Sequence, residues 1–502
     1  MLTIGDALRM NTAKAPGKLC LADAHRRFTY AEVNVRVNRL AHGMLQSGCK
    51  PGDCLAVLAR NSIEYMELFH ACAKLGLRIL TLNFWLRSAE IELLFNYSDA
   101  TWLVVGESLQ DTIASIVPRL AKLRGDGLIV IGEPSLRGAR SLTSFVASTE
   151  SEPLVDVDPR WPFWMMFTSG TTGNPKGVVR SFYRTAVCIL FGMIEFGFRR
   201  DDFFLAVSPF FHGVTFLPLM VLQAGGTVHV MSEFSAADVL RTIEVEGVTA
   251  GFLVPTMLDM LLEHPALNET RFESMRVLVT GGAALPSAVK TAVVDSIGPV
   301  LHEFYGASES GFLTVLHPRD QMRKQCCCGQ PCFGAEVEIR DDSGIRLPAG
   351  AVGEIFSRCD GRFDGYYKNK AQTDAALTDG WFTAGDLGRI DDEGYVYVVD
   401  RKTDLIISGG ENVYPREIED VLRTHASVLE CAVIGVPDSR WGEAAKAFVV
   451  LRSDRDLAVP ELIEYCGQRL AGFKRLREVE FVSDLPRNAS GKILKSTLRQ
   501  QH

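Results

Sequence analysis

A chain of 502 residues is long enough for about three domain-sized units, and 47% hydrophobic with 23% charged residues is the balance of an ordinary globular protein. A formal net charge of −8 leaves no basic stripe to neutralise phosphates, which excludes the nucleic-acid-binding classes. The opening MLTIGDALRM lacks the basic-then-apolar order of a secretory signal, and the apolar run FLPLMVLQAGG is broken by Pro218 and Gln223, so the expectation is a cytoplasmic protein without a transmembrane segment.

From residue 29 to about 340 helical and strand-like patterns alternate. VNRLAHGMLQSG reads as an amphipathic helix, CLAVLA as a buried strand and YMELFHACAKLG as another helix, and the rhythm returns in VLRTIEVEGVTAGFLVP and MRVLVTGG. That alternation predicts an α/β fold of doubly wound layers with parallel sheets. Within it stands MMFTSGTTGNPKGVV, Met165 to Val179. Gly170, Gly173 and Gly177 let backbone N–H groups approach an anion. Thr168, Ser169, Thr171 and Thr172 add hydroxyls, Lys176 adds a positive charge, and the apolar Trp164–Phe167 ahead predicts a buried strand feeding the loop. Such a loop suits a polyphosphate. It is not a Walker loop, because its lysine follows Asn174-Pro175 and precedes Gly177. Nor is it a dinucleotide fingerprint: the Gly-x-Gly at Gly125/Gly127 has Val130 where the third glycine belongs.

Between about 335 and 400 the texture turns to short strands and turns, AEVEIRDDSG, GEIFSR and DLGRIDDEGYVYVVD, a β-rich subdomain. After it come helix PREIEDVLRTH, strands LECAVIGVPD and AAKAFVVLR, helix PELIEYCGQRL and strand EVEFV, a separate α+β unit of about a hundred residues. The twelve cysteines are scattered except for Cys326, Cys327, Cys328 and Cys332, which have neither a second pair at zinc-like spacing nor a nearby histidine and read as reduced thiols.

Five further stretches stand with the hydroxyl-rich loop: FYGASES (Phe304–Ser310), GWFTAGDLGRID (Gly380–Asp391), DRKTDLIISGGENVYPREIE (Asp400–Glu419), WGE (Trp441–Glu443) and PRNASGK (Pro486–Lys492). Together and in this order they resemble the core motifs of the adenylate-forming superfamily, over essentially the whole chain, and within it the fatty-acyl-CoA and coumarate-CoA ligases. The resemblance implies a large N-terminal domain over 1–400, whose β-rich subdomain covers about 335–400. It further implies a hinge at 401–404 and a small mobile C-terminal domain over 405–502. It implies ATP, Mg2+ and coenzyme A as cofactors, and activation of a carboxylate by attack on the α-phosphate of ATP, with no protein nucleophile.

Residue by residue, the resemblance assigns Thr168, Ser169, Gly170, Thr171, Thr172, Gly173 and Lys176 to the β- and γ-phosphates. Glu309 matches the acidic residue that binds magnesium, and Ser308 stands where threonine is usual, keeping the hydroxyl. Tyr305, followed by Gly306, matches the aromatic that stacks on adenine. Gly281, Gly282 and Ala283 match the segment lining adenine and acyl group, Asp386 and Arg401 the pair at the ribose hydroxyls, and His212 a wall of the acyl pocket. Lys492 matches the lysine that reaches the carboxylate and α-phosphate, where a compact ammonium sits between two anions; its motif also resembles a site for a regulatory lysine acyltransferase and deacylase. Gly409 and Gly410 match the glycines facing the pantetheine channel. Thr403 stands at the hinge where aspartate or lysine is expected.

The segments matching the acyl pocket, Phe210–Val214, Gly251–Thr256 and Gly281–Leu285, contain no Arg or Lys to pair a second carboxylate. The expected substrate is therefore an apolar monocarboxylic acid, fatty or aryl, taken with ATP and CoA by a monomer or homodimer. The competing expectation is a stand-alone adenylating enzyme that passes its acyl-adenylate to a carrier protein or another nucleophile, such as an amine or nitrogen species, in a biosynthetic pathway.

Overall fold

The computed structural model describes residues 3–168, 176–408, 411–438, 440–452, 457–487 and 493–501. Contacts divide the mixed α/β chain into two units, residues 1–336 with 357–382, and residues 337–356 with 383–502. The strand-rich stretch 335–400 thus contributes to both.

The first unit holds two mostly parallel sheets. In one, Leu19–Ala22, Thr227–Val230, Phe203–Ala206, Ala250–Phe252, Val277–Gly281 and Leu301–Ala307 run parallel, with Gly311–Leu316 antiparallel beyond them. In the other, Arg140–Ser141, Leu128–Ile131, Trp102–Gly106, Cys54–Leu58, Arg78–Thr81 and Pro162–Thr168 are parallel neighbours. Lys176–Ser181 then turns back antiparallel, followed by Gly365–Tyr366. Cys54–Leu58 and Val277–Gly281 are buried along their whole length, as central parallel strands covered on both faces must be. The connecting helices carry their own stop and start signals. Ile63–Leu75 begins at Ser62, whose hydroxyl accepts the Tyr65 N–H at 3.1 Å, and ends on Gly76 at φ +67°. The core is aromatic: Trp164 meets Phe69 edge-on at 5.2 Å, and Tyr65 meets Phe210 at 5.7 Å. Burying each such ring contributes roughly 2–3 kcal/mol.

In the second unit the antiparallel pair Val428–Asp438 and Gly442–Leu451 is flanked by Ile406–Ser408 and, in parallel, by Leu476–Phe481. Helices Pro415–Arg423 and Val459–Gly467 pack Ile418, Leu422, Leu462 and Cys466 on one face of it. Leu485 and Leu498 close the other face against Ile434 and Phe448. A second antiparallel ladder pairs Asp386–Ile390 with Val396–Arg401. Among the described residues no helix is long and apolar enough to cross a membrane.

Candidate functional site

Parallel α/β sheets offer ligand sites beyond the carboxyl ends of their strands, and there the first unit gathers its sequence-marked residues. Thr168 ends one strand and lies directly opposite Lys176, which begins the next. The tip of that hairpin, with Ser169, Gly170, Thr171, Thr172 and Gly173, lies outside the described residues. The Lys176 ammonium stands 5.3 Å above the ring of Tyr366, and the Tyr366 hydroxyl donates to Glu309 Oε1 at 2.9 Å. One chain of contacts therefore joins Lys176 to Glu309, 133 positions later.

Glu309 sits in a tight turn, and its neighbours fix that turn closely. The Ser310 hydroxyl accepts the Ala307 N–H at 2.9 Å, and Phe363 N–H donates to the Glu309 carbonyl at 2.6 Å. The fully buried Arg180 guanidinium donates from Nε and Nη2 to the Ser308 carbonyl, at 3.1 and 2.8 Å. A bulge falls between Tyr305 and Gly306 in the pairing of the strand leading into the turn, which re-aims the residues beyond it. Gly306 is required there, because a Cβ would lie 2.0 Å from the Gly311 carbonyl oxygen. Tyr305 and Gly306 are half-buried, as is Ser308. Glu309 is itself buried, and its Oε2 has no hydrogen-bond or ion-pair partner among the described residues. A carboxylate oxygen left over in an otherwise satisfied turn fits a hard cation, which takes oxygen ligands.

The residues that the resemblance assigns to the acyl side approach the same turn. The position a Cβ on Gly213 would take is 4.0 Å from Ser308 Oγ, so the His212–Gly213 backbone passes beside that hydroxyl. The His212 ring rests 4.2 Å from Phe211, and burial pushes its imidazole down to about 4, so it is neutral near pH 7. Gly281 is buried at a strand end opposite Phe304, where a Cβ would meet the Phe304 ring at 2.6 Å. Gly282 follows at φ +83° and, with Ala283, is exposed. A small cavity lies nearby, bounded by Phe204, Val207, Phe210, Val214, Pro218 and Phe252, with no charged side chain on its wall.

In the second unit Asp386 and Arg401 are register partners, and Arg401 Nε reaches Asp386 Oδ1 at 3.4 Å with Asp386 buried and Arg401 partly exposed. Ser408, opposite Gly442, leads into a hairpin whose tip, Gly409 and Gly410, lies outside the described residues, as does Lys492. The residues beside Thr403 are tied down: Lys402 to Asp342 and Glu354 at 2.8 and 2.9 Å, Asp404 to Arg499 at 2.7 Å. On the same unit Trp441 carries two guanidinium groups against its indole, Arg440 at 4.9 Å and Arg477 at 4.8 Å. Neither arginine has a carboxylate within ion-pair distance among the described residues.

Three residues here escaped the sequence reading. Tyr366 and Arg180 belong to no motif, and Arg477 lies in a basic run that reads as a solvated face.

Comparisons with known proteins agree across the whole length. The family profile described as AMP-binding enzyme matches residues 8–367, and that of the AMP-binding enzyme C-terminal domain matches residues 417–492. The long-chain-fatty-acid–CoA ligase FadD13 of Mycobacterium tuberculosis is 36% identical over 510 residues, covering 100% of this chain and 99% of its own. A feruloyl-CoA synthase of Amycolatopsis sp is 35% identical over 479 residues, 94% of each chain. Among solved structures, the amide bond synthetase McbA of Marinactinospora thermotolerans superposes with a TM-score of 0.89 at 31% identity, over 99% of both chains.

Proposed function

The chain belongs to the AMP-binding enzyme family, and from that premise we propose that it is an AMP-forming acyl-CoA synthetase for an apolar monocarboxylic acid. The acid is activated by ATP to an acyl-adenylate with release of pyrophosphate, and the acyl group then passes to the thiol of coenzyme A. The observation that carries this reading is the fixed Ser308–Glu309 turn, reached by Tyr366 and Lys176 on one side and by the His212–Gly213 backbone on the other.

The chemistry follows from which charges must meet. A carboxylate attacking an α-phosphate brings two anions together, so catalysis rests on holding them in line and offsetting their repulsion. Thr168, Lys176 and the loop between them grip the β- and γ-phosphates, the leaving group. Ser308 offers a hydroxyl to the α-phosphate, and Glu309 would hold Mg2+ through the oxygen that has no partner among the described residues. Bound there, the ion neutralises phosphate charge. Tyr305 supports the adenine, with Asp386 and Arg401 taking the ribose hydroxyls. Lys492 supplies the charge between carboxylate and α-phosphate. For the second step residues 405–502 turn about 401–404, and Gly409 and Gly410 admit the pantetheine arm. An acyltransferase that capped the Lys492 ammonium would delete that charge and stop adenylation.

The reading of the acid's class is supported by the uncharged surroundings of His212 and the cavity near it. The cavity wall is uncharged, and the neutral His212 offers no counter-charge to a second carboxylate. An apolar tail, fatty or aryl, is what such a wall accepts. Coenzyme A as acceptor is supported by Trp441 with Arg440 and Arg477 against its indole: an aromatic ring beside cations that have no ion-pair partner among the described residues suits an adenine carrying phosphates. The likeness to an amide bond synthetase favours one second reading, in which the adenylate goes to an amine.

Acceptor competition tests the proposal. The protein is incubated with ATP, Mg2+ and a panel of fatty and aryl acids, with CoA, an acyl carrier protein or an amine supplied separately. Thioester formation with CoA supports the synthetase. Adenylate that is consumed only by the amine or the carrier protein overturns it.

A further inference from the structure

Arg180 is a full charge in the interior that the chemistry above does not use. Its guanidinium is completely buried, and burial draws its pKa down. Among the described residues no carboxylate lies within ion-pair distance of it. Its donors go instead to backbone: two to the Ser308 carbonyl, and Nη1 to the Gly361 carbonyl. Its central carbon stands 5.2 Å from the centre of the Phe216 ring. The thiols beside it supply no counter-charge, since burial pushes Cys188 up to about 11 and raises Cys359 as well. A sealed cation held only by carbonyl dipoles is destabilising taken alone.

Its connections explain its presence. Arg180 lies on the Lys176–Ser181 strand, four residues beyond the phosphate-loop lysine. The carbonyls it grips belong to the residue before Glu309 and to the segment whose Phe363 N–H holds the Glu309 carbonyl. The neighbouring Val179 and Ser181 hold that segment too: Asp364 N–H donates to the Val179 carbonyl at 2.9 Å, and Ser181 N–H to Asp364 Oδ2 at 2.5 Å. One guanidinium thus joins the strand that carries Lys176, the turn that carries Ser308 and Glu309, and the segment that leads to Tyr366. Two parallel donors on one carbonyl fix a peptide plane as a single donor does not.

We propose that Arg180 is a positioning residue for adenylation: it sets the plane of the Ser308–Glu309 peptide, and through it the direction in which Glu309 presents its carboxylate to the metal of MgATP. This rests on Glu309 being the metal-holding carboxylate.

The test is a calorimetric titration of the full-length protein with ATP, with and without Mg2+, for wild type, Arg180→Gln, Arg180→Lys and Glu309→Gln. The quantity read is the ratio of affinities for MgATP and metal-free ATP. Support around a metal ligand typically governs affinity by 10–100-fold. Arg180→Gln should therefore lower the ratio about tenfold while leaving metal-free ATP binding and the KM of the acid at wild-type values. Arg180→Lys, which keeps the charge and loses the fork, should lower it by a smaller factor. An arginine that merely filled space would change the unfolding temperature and leave the ratio alone. A folded Arg180→Gln protein with the wild-type ratio overturns the proposal; if that variant does not fold, the wild-type ratio in Arg180→Lys overturns it. An unchanged ratio in Glu309→Gln removes the premise and the proposal together, whereas a fall in Glu309→Gln with none in the Arg180 variants overturns the proposal alone.

Discussion

The Ser308–Glu309 turn and the Trp441 face are both proposed to meet an anionic ligand, yet they are built in opposite ways. At the turn the flanking carbonyls and amides are answered from within the protein, and the supporting arginine is sealed from water. At Trp441 the two guanidinium groups lie against an indole in solvent, and the loop is pinned by Asp438 Oδ1, which accepts the Arg440 and Trp441 N–H groups at 2.8 and 2.9 Å. The difference matches what each is proposed to do. A group that acts on a reacting phosphate gains from being fixed beforehand, because no reorganisation is then required as charge develops. A surface that captures a ligand's distant end needs only attraction and contact area, which solvent screening weakens.

The contrast breaks most visibly at the groups assigned to the first half-reaction. Lys492→Ala should lower adenylation, read as ATP–pyrophosphate exchange, by roughly a thousandfold, the upper end for losing one preset electrostatic contact. Thioester formation from supplied acyl-adenylate should survive it; equal loss of both steps would remove the assignment. Glu309→Gln keeps the shape of the turn and removes the negative charge that a metal-holding carboxylate supplies. Exchange should fall about a hundredfold at fixed Mg2+ and recover in part at high Mg2+, and insensitivity to Mg2+ would argue against its role.

Trp441→Ala sharpens the other side. It should raise the KM for CoA about tenfold, the size of a solvent-exposed stacking and cation–π contribution, and leave exchange untouched. Added salt should mimic part of that effect on wild type, and a salt-independent KM for CoA would contradict the electrostatic reading of this face. A further effect, on stability rather than on turnover, concerns acid. His70, His212 and His302 are each pushed down to about 4 by burial, so the unfolded chain takes up their protons first. Their stabilising neutral forms are fully present above about pH 6.5, and stability should decline as pH falls from there to 4, by at most about 1.4 kcal/mol per pH unit for each group. Denaturant midpoints measured across that window check the slope. His212→Gln should leave the pH dependence of exchange between 6 and 8 unchanged.

How much of this was legible beforehand depended on whether a residue's role is local. Strands such as CLAVLA and MRVLVTGG announce themselves because a buried parallel strand needs a continuous apolar run, and they form as expected at Cys54–Leu58 and Val277–Gly281. The helix PREIEDVLRTH likewise appears as Pro415–Arg423. Glu309, Asp386 and Arg401 were marked by motifs that keep their order along the chain. Arg180 was not, because an arginine in GVVRSF reads as the polar, outward position of a strand. What turns it inward is Ser308, 128 residues later, and no local pattern carries a contact of that range. Tyr366 is hidden for the same reason, its partner Glu309 being 57 positions earlier. Arg477 reads as one more solvated charge until the parallel pairing of Leu476–Phe481 with Gly442–Leu451 brings it to Trp441. The strand-rich stretch shows a further limit: its texture is plain in the sequence, but contacts allot residues 357–382 to one unit and the stretches on either side to the other.

The central claim, activation through AMP with CoA as the final acceptor, is tested most directly by product stoichiometry on the wild-type protein. With a preferred acid, ATP, Mg2+ and CoA, one AMP, one pyrophosphate and one acyl-CoA should form for each acid consumed. ADP and phosphate in their place, or AMP and pyrophosphate without a matching thioester, would contradict the account.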